Sequence, residues 1–306
     1  MRTAGFHDGE LAVQRQAGVT AEAARLTGML APADLRGGIG RFLAGRTFAA
    51  LTARDRDGRL WISPLAGAPG FLRPCSANTL DIAAVPVPGD PLHELAAGQP
   101  AGLLVVEFAA RRRVRVNGTL TSAGPRGLRV EAEQAYGNCP QYIGQRFLEP
   151  VEPAGADDAG TPARRAPGLD ADDRALIRSA DTLLLGTTHP ERGNDASHRG
   201  GTPGFVRVEN GQLWWPDYPG NNMFNSFGNL AVDPAAALLV ADFTTGRTLH
   251  LSGTAVVDWT GPGTAGDDGG TGRRVRFTPQ CVVAGALLPA RAVAPALTYP
   301  GNPPLS

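Results

Sequence analysis

The chain has 306 residues, 42% of them hydrophobic, and its 29 basic residues equal its 29 acidic residues in number. The zero net charge argues against a general nucleic-acid binder, and the lack of any run of about 18 apolar residues argues against a membrane span. Every basic residue is arginine, so no lysine Schiff base can form. An anion site must therefore use arginine, backbone amides or small polar side chains.

Cysteine and histidine give no sign of a metal centre. Cys75, Cys139 and Cys281 are far apart, and the histidines do not cluster at metal-ligand spacing. The few, unpaired cysteines fit a reducing compartment, and the first residues contain no apolar signal segment. We therefore predict no metal site and a cytoplasmic location.

The first half of the chain is predicted to consist mainly of strands. RTFAALTA (46–53) and RLWISPLAG (59–67) are strand-like segments on either side of the Asp55–Gly58 turn. A short helix is predicted at Asp90–Ala97, after a Pro-Gly pair and with an aspartate suited to capping. In RRRVRV (111–116), strand alternation places Arg111, Arg113 and Arg115 on one face. A solvated or ion-paired strand face is the favoured interpretation of these arginines, ahead of nucleic-acid binding.

The segment 150–173 is rich in proline, alanine and aspartate, and this composition predicts a linker. It divides the chain into an N-terminal half, 1–149, with a leading helical segment, and a C-terminal half, 174–306.

The second half repeats the pattern of the first. PGFVRVENGQLWWPD (203–217) contains Asn210-Gly211, the pair favoured in a type I′ hairpin turn. A short helix is predicted at Asn222–Ala231, and a further hairpin has its turn near Thr245-Gly246. Each half is expected to hold about five or six strands and one or two short helices.

Two pairs of segments show that the chain is internally duplicated. SPLAGAPGFLR (63–73) and SHRGGTPGFVR (197–207) share the skeleton S-x-x-x-G-x-P-G-F-x-R, and AGLLVVEFAARRRVRVNGT (101–119) aligns with AALLVADFTTGRTLHLSGT (236–254). The spacing is far too long for a solenoid repeat, so it predicts two similar halves in a two-fold assembly. Closure of each sheet into a barrel would remove its exposed edges.

The PGF hairpins, PDYPGNNMFNSFGNL (216–230) and GNCPQYIGQR (137–146) resemble the pyridoxamine 5′-phosphate oxidase-like family, in particular its duplicated members of about this length. The resemblance runs from residue 6 to Trp259. It implies a mainly β protein with short helices, in which two tandem split-barrel halves form a pseudo-dimer within one chain. It also implies FMN as the cofactor, a flavin-dependent oxidoreductase, and a small-molecule substrate with an electron donor or acceptor. In the family, Gln141 corresponds to a lysine, so the positive charge of that position is missing here. The resemblance also leaves open that one of the arginines in RRRVRV (111–116) reaches the flavin bound by the other half.

The second copy of the repeated phrase carries the residues suited to FMN. Arg199 and Arg207 suit the phosphate, Gly200 and Gly201 allow backbone amides to approach, and a helix opening at Asn221-Asn222 is itself an anion site. Aromatic side chains at the hairpin end would form a wall for the flavin ring. The complete set of predicted cofactor-binding residues is Ser197, Arg199, Gly200, Gly201, Arg207, Trp215, Pro216, Tyr218, Asn221, Asn222 and Asn225.

The first copy lacks these features, since Pro64-Leu65-Ala66 stands where the second has His198-Arg199-Gly200. One half is therefore expected to hold the cofactor and the other to act mainly as a partner surface. Two other possibilities stay open: a flavin- or haem-binding protein without turnover, and a cofactor-free interaction module. Arg199 and Arg207 could also simply pair with Glu209 or Asp217. No catalytic side chain is identified, no nucleic-acid or membrane partner is expected, and a monomer and a homodimer are both compatible with the duplication.

Overall fold

The computed structural model describes residues 5–151 and 163–305. The first half forms a 3₁₀ turn at Thr27–Leu30 and the elements α1 (Asp8–Gln16), α2 (Thr20–Ala24), α3 (Gly38–Ala44), β1 (Phe48–Arg54), β2 (Leu60–Ala66), β3 (Leu72–Pro74), β4 (Thr79–Ile82), β5 (Gln99–Glu107), β6 (Arg112–Gly124), β7 (Gly127–Asn138) and β8 (Leu148–Pro150). The second half forms β9 (Arg164–Ala166), α4 (Ala171–Ser179), β10 (Thr182–His189), β11 (Gly193–Gly200), β12 (Arg207–Glu209), β13 (Gln212–Pro216), α5 (Asn225–Val232), β14 (Ala235–Ala241), β15 (Thr248–Trp259), β16 (Arg273–Gly285) and β17 (Ala290–Ala292).

The two main sheets have the same strand order. The first runs β2-β1-β5-β6-β7-β4-β3 and the second β11-β10-β14-β15-β16-β13-β12, with β9 paired to β16. When β1 and β10 are each counted as the first strand, the two orders are identical. All the pairings are antiparallel. This confirms the predicted fold class, a mainly β chain with short helices and two tandem split-barrel halves. The expected five or six strands per half are too few, because short strands such as β3 and β12 give little sequence signal.

The central strands are buried on both faces, because each half packs against the other as well as around its own core. In β1, Ala49 and Leu51 point into the first core, while Phe48 and Ala50 join a cluster shared by both halves. In the second half, Leu184 of β10 likewise lies in the shared cluster. Burial on both faces explains why these strands read as nearly continuous apolar runs.

The two halves are also connected outside the main sheets. Strands β8 and β17 form a small antiparallel sheet from the ends of the two halves. The helices α1 and α5 cross so closely that a Cβ on Gly9 would collide with the backbone carbonyl of Gly228. The leading helix therefore packs on the C-terminal half.

The predicted hairpins are confirmed. Asn210 has φ 50° and Gly211 has φ 79°, as a type I′ turn requires, between β12 and β13. Gly246, with φ 80°, lies in the turn between β14 and β15, where its amide donates to the Asp242 carbonyl at 2.8 Å.

The helix predicted at Asp90–Ala97 is wrong, because this segment forms successive turns. The buried Asp90 carboxylate accepts from the Leu92 amide at 2.8 Å and from the Ser63 hydroxyl at 2.5 Å. The amides of His93 and Leu95 then donate to carbonyls three residues earlier. A side chain that captures the local backbone in this way competes with helix formation.

The second predicted helix, Asn222–Ala231, exists as α5 but begins three residues later, at Asn225. The Asn221 side chain accepts from the Met223 amide at 3.2 Å, and Asn222 has φ 61°. The two asparagines therefore form the turn that leads into the helix rather than its first turn.

Residues 152–162 of the predicted linker lie outside the described residues. The rest of 150–173 includes β9 and the first residues of α4, and the division into 1–149 and 174–306 stays a prediction. Among the described residues, no helix has the length and apolar character needed to cross a membrane.

Candidate functional site

The end of β11 lies where the two halves meet. Arg199 and Gly200 pair with Leu183 and Thr182 of β10. The carbonyl of Tyr142, from the first half, comes so close to Gly200 that no Cβ could be accommodated there. Glycine is therefore needed at position 200 to admit a carbonyl of the other half, and not for the predicted approach of a backbone amide.

A cavity of about 90 Å³ opens beside Arg199. The rings of Tyr142 and Tyr218 contact each other beside it, tilted by 48° with centroids 5.0 Å apart, and the Tyr142 hydroxyl donates to the carbonyl of Pro219 at 2.9 Å. The two halves thus close the cavity together. The other lining residues are Arg113, Arg115, Asn138, Cys139, Gln141, His198, Gly200, Phe205, Trp215, Pro216, Asp217, Gly220 and Asn221.

A second cavity, of about 70 Å³, adjoins the first at the start of α5. Phe224 precedes this helix in the left-handed conformation, with φ 59°, and no side chain caps the helix start. The first amides of such a helix are unpaired donors, and the helix dipole favours an anion beside them. Arg115, Arg199, Asp217, Tyr218 and Asn221 line this cavity as well as the first, and Asn222, Asn225, Ser226 and Arg273 are the polar residues that line this one and not the first.

Arginines outnumber carboxylates around the two cavities. Asp217 is the carboxylate among the described lining residues, and it is bound by Arg273, whose Nε lies 2.9 Å from Asp217 Oδ2. Burial, together with the nearby charges of Arg115 and Arg199, lowers the pKa of Arg113 to about 9. Burial likewise lowers the pKa of Arg199 and raises that of Asp217. This excess of buried positive charge suits an anionic ligand.

Several polar atoms at the first cavity have no hydrogen-bond partner among the described residues. They include the Nε atoms of Arg113, Arg115 and Arg199, the Tyr218 hydroxyl and both ring nitrogens of His198. His198 is only 4% exposed, and burial next to Arg113 lowers its pKa, so the imidazole is neutral. Buried groups of this kind normally have partners, so their concentration here makes the cavity a candidate site.

Most of the predicted cofactor residues line the two cavities, but Ser197, Gly201 and Arg207 do not. The Ser197 hydroxyl is buried and accepts from Ser226 at 3.2 Å, and Gly201 packs against the ring of Phe205. Arg207 forms an ion pair with Asp268 at 2.9 Å and lies over the ring of Trp214. Arg207 therefore has an ion-pairing role, with Asp268 rather than with Glu209 or Asp217.

The first half supplies site residues that the predicted set does not contain. Arg113 and Arg115 lie on β6 and reach across to the second half, where Arg113 donates to the carbonyl of His198 at 3.2 Å and Arg115 pairs with Asp195 at 2.9 Å. The sequence signal for these two arginines was the strand alternation, which places both of them on one face of β6. Arg111 does not join them, because its Nε donates to the carbonyl of Ile143.

In the first half, packed side chains occupy the place that corresponds to the cavity beside Arg199. Leu65, the counterpart of Arg199, is fully buried in the first core. Nearby, the Ser63 hydroxyl donates to Asp90, and His250 of β15 lies 3.7 Å from the same carboxylate. His250 also bonds to the carbonyl of Ile62 at 3.1 Å. The two halves share a strand order but differ at this place.

A third cavity, of about 740 Å³, lies between the first sheet and the helices α1 and α5. It is the largest of the three, and no pattern in the sequence predicted it, since its walls come from segments far apart in the chain. The ion pair between Arg115 and Asp195 stands between this cavity and the arginine-lined ones.

No family model and no curated protein matches the chain. Solved structures similar to it include a pyridoxamine 5′-phosphate oxidase candidate from Lactobacillus delbrueckii, with 15% identity, a TM-score of 0.32, and coverage of 38% of this chain and 94% of that chain. The haem storage protein HutZ from Vibrio cholerae is 13% identical, with a TM-score of 0.30 and coverage of 39% and 96%. An FAD binding protein from Mycobacterium smegmatis is also 13% identical, with a TM-score of 0.27 and coverage of 40% and 97%.

Each of these proteins is matched over nearly its whole length by about two fifths of the present chain. The two main sheets of the chain have the same strand order. The chain thus consists of two halves with one mainly antiparallel β fold, the duplicated form that its sequence predicts.

Proposed function

We propose that the chain binds FMN at the two arginine-lined cavities and acts as an FMN-dependent oxidoreductase on a small molecule. The observation that carries the proposal is the group of buried arginines beside an uncapped helix start, next to an aromatic wall. Phosphate needs charge-assisted donors, and the flavin ring needs flat apolar surfaces with a few polar contacts.

Arg199, Arg115 and the first amides of α5 would hold the phosphate. Among the described residues, Arg199 forms no salt bridge, although the charges of Asp217 and Asp195 act on it, whereas Arg115 is paired with Asp195 and Arg273 with Asp217. Arg199 is therefore the arginine whose charge is best placed for a ligand. Its guanidinium also lies 5.6 Å from the ring of Phe227 on α5, which holds it at the helix start.

Trp215, Pro216 and the tyrosine pair would form the walls for the flavin ring. Ligand pockets usually measure about 300–1,000 Å³, whereas these cavities measure about 90 and 70 Å³. FMN binding would therefore separate Tyr142 from Tyr218. Neutral His198 and the Tyr218 hydroxyl are the buried groups that would then bond to the polar edge of the ring.

Bound flavin would supply two-electron chemistry between the substrate and an electron donor or acceptor. The contribution of the protein is to bind the flavin, orient it and exclude water. No nucleophilic side chain is required, in keeping with the lack of a serine or cysteine activated by a neighbouring histidine in the proposed site. Both halves of one chain supply the site, so a monomer is sufficient for it, and we also propose a cytoplasmic location.

The visible spectrum of the purified protein tests the cofactor. We expect a yellow protein that releases FMN on denaturation. A colourless protein that does not take up added FMN would contradict the proposal, and a Soret band would point to haem instead. A yellow protein that turns over no substrate would support the alternative of a flavin carrier.

Replacement of Arg199 tests the phosphate site. Arg199→Ala should weaken FMN binding by about 1.5–3 kcal/mol, roughly ten- to hundredfold in Kd, because a bond to a charged group is lost. Riboflavin has no phosphate, so its affinity should barely change. Fluorescence titration with both flavins measures the difference.

An arginine variant on the surface serves as the control. Arg178 is exposed on α4. Arg178→Ala should leave FMN affinity unchanged. If Arg199→Ala weakened FMN and riboflavin equally at an unchanged Tm, Arg199 would have no role in phosphate binding.

A further inference from the structure

The large cavity beside α1 has its own walls and its own chemistry. Its volume of about 740 Å³ lies within the range of about 300–1,000 Å³ that small-molecule pockets usually have. It is bounded by α1 and α5, by β6 and β7, and by the start of β11. Asn225 also lines the smaller cavity at the start of α5, but its side-chain nitrogen donates to Glu10 of the large cavity.

Buried hydrogen-bond acceptors line this cavity. Glu10 and Asp195 are 4% and 3% exposed, and Asn117 and Asn194 are 8% and 2% exposed. The side-chain nitrogen of Asn117 donates to Asp195 at 3.0 Å, and that of Asn194 donates to the carbonyl of Pro100 at 2.9 Å. Their Oδ1 atoms have no partner among the described residues. Both asparagines therefore bind the protein through the amide nitrogen and have an unpaired oxygen beside the cavity.

The charges of the lining favour a cation at pH 8, because Glu10, whose pKa burial raises to about 7, is then mostly ionised. Glu131 and Glu133 add carboxylates at the rim, and Arg192 is the arginine among the lining residues. Burial lowers the pKa of His7 to about 4, so its ring adds no positive charge. The His7 ring accepts from the Gly9 amide and donates through Nε2 to Asn229 at 3.1 Å, which fits the neutral form.

Leu30, Pro32, Ala33 and the ring of Tyr136 form the apolar part of the lining. An aromatic ring beside carboxylates and amide oxygens suits a cation on an organic body. The described residues contain no group of histidine, cysteine, aspartate or glutamate side chains arranged to hold a metal ion. We propose that this cavity binds an organic cation, an ammonium or amidinium group carried on a compact apolar body.

This cation site is distinct from the proposed flavin site. The flavin cavities offer arginines and helix amides, which are donors, whereas the large cavity offers acceptors. The Arg115–Asp195 ion pair separates them, with the guanidinium toward one and the carboxylate toward the other. A phosphate is repelled by the lining of the large cavity, so the two sites select ligands of opposite charge.

Three probes with the same phenylethyl body and different charges test the proposal. Calorimetric titration at pH 8 would use phenethylammonium, the neutral 2-phenylethanol and the anionic 3-phenylpropanoate. The cation should bind saturably, once per chain, and both other probes should bind at least about tenfold more weakly. Equal binding of the three, or no saturable binding of the cation, would overturn the proposal.

Two variants locate the binding. Ala77→Trp places a large ring at the partly exposed rim, away from the core, and should abolish cation binding. Glu10→Gln keeps a side chain suited to the capping box of α1. It should weaken binding of the cation at least about fivefold. Glu22→Gln, exposed on α2, is the matched control and should have no effect.

The flavin distinguishes failure of this proposal from failure of the proposed function. Ala77→Trp should leave FMN content or uptake unchanged, since position 77 lines neither arginine cavity. Unchanged cation binding in this variant would overturn the assignment to the large cavity. Release of FMN by the cation would mean that the two ligands share one cavity and would also overturn it. Cation binding by a protein that takes up no FMN would leave this site standing and reject only the flavin proposal.

Discussion

Burial at the start of α1 shifts the pKa values of His7 and Glu10, and in both cases it favours the neutral side chain. Desolvation lowers the pKa of His7 to about 4 and raises that of Glu10 to about 7. Glu10 accepts from the His7 amide at 2.8 Å and from the side chain of Asn225 on α5. One side chain thus caps α1 and joins it to the helix of the other half.

Glu10 should make the folded state less stable as pH rises. Its folded-state pKa of about 7 lies above its ordinary value of 4.5. The folded protein therefore binds more protons than the unfolded chain between these values, and stability is lost as pH increases through that window. The loss should approach about 3 kcal/mol at most, at about 1.4 kcal/mol per pKa unit. Urea unfolding of the parent and Glu10→Gln at pH 5 and pH 8 measures it.

The stability of Glu10→Gln relative to the parent should increase from pH 5 to pH 8, because glutamine does not ionise. Glu22→Gln should follow the parent at both. An identical pH dependence in the parent and Glu10→Gln would show that Glu10 is not the group responsible.

At single positions, the sequence predicted the site only in part. Arg199 and Tyr218, which line the candidate cavities, were predicted because the second copy of a repeated phrase differs from the first in chemistry. Arg207 was included on the same grounds, yet Asp268, from a distant loop, forms an ion pair with it. Glu10 was not identified at all, because its neighbours Asn225 and Asp195 are distant in the chain and no local pattern connects them.

The strands β5 and β11 of opposite halves approach closely at Gly102. A Cβ at this position would lie 2.7 Å from the carbonyl oxygen of Asn194 and from the Cα of Asp195, which are backbone atoms that cannot rotate away. The contact between the halves thus depends on a missing side chain in the middle of an apolar strand. This glycine also keeps Asn194 and Asp195 in position at the edge of the large cavity.

Gly102→Ala should therefore destabilise the protein by about 1–3 kcal/mol, the usual cost of overpacking a well-packed contact. Gly124→Ala, at the exposed end of β6, is the matched control, since a Cβ there meets nothing closer than 4.0 Å. Urea unfolding compares the two. Equal stabilities would show that the halves adjust at this contact without cost.

Helices and turns are predicted best where they depend on neighbouring residues in the sequence. Asn210-Gly211 predicts its hairpin because the turn conformation depends on those two residues. The helix predicted at Asp90–Ala97 failed because Ser63, on β2, holds Asp90 in a buried contact. The late start of α5 has the same kind of cause, since α1 packs on this helix and Gln14 of α1 donates to the carbonyl of Met223 at 3.1 Å.

In the molecule as a whole, the two halves have the same sheet topology but different interior side chains. The sheets share one strand order, yet Arg199 of the second half corresponds to buried Leu65 of the first. Where the second half has adjoining cavities, the first has the contact between Ser63, Asp90 and His250. The symmetry of the backbone therefore does not extend to the cavities.

We expect one flavin per chain as a consequence. Leu65 and the His250–Asp90 contact fill the place that a second phosphate and ring would need. Titration of FMN against a known protein concentration, monitored by absorbance, gives the ratio. A value near two would show that the first half also binds and that the filled interior opens.

The difference between Leu65 and Arg199 has a consequence for inheritance. In a homodimer, one gene encodes both subunits, so every mutation appears on both sides of the two-fold axis and symmetric contacts change together. Here the two positions are separate codons of one gene. Selection can alter one without touching the other, so a ligand pocket can be refined on one side while its counterpart is free to become solid core.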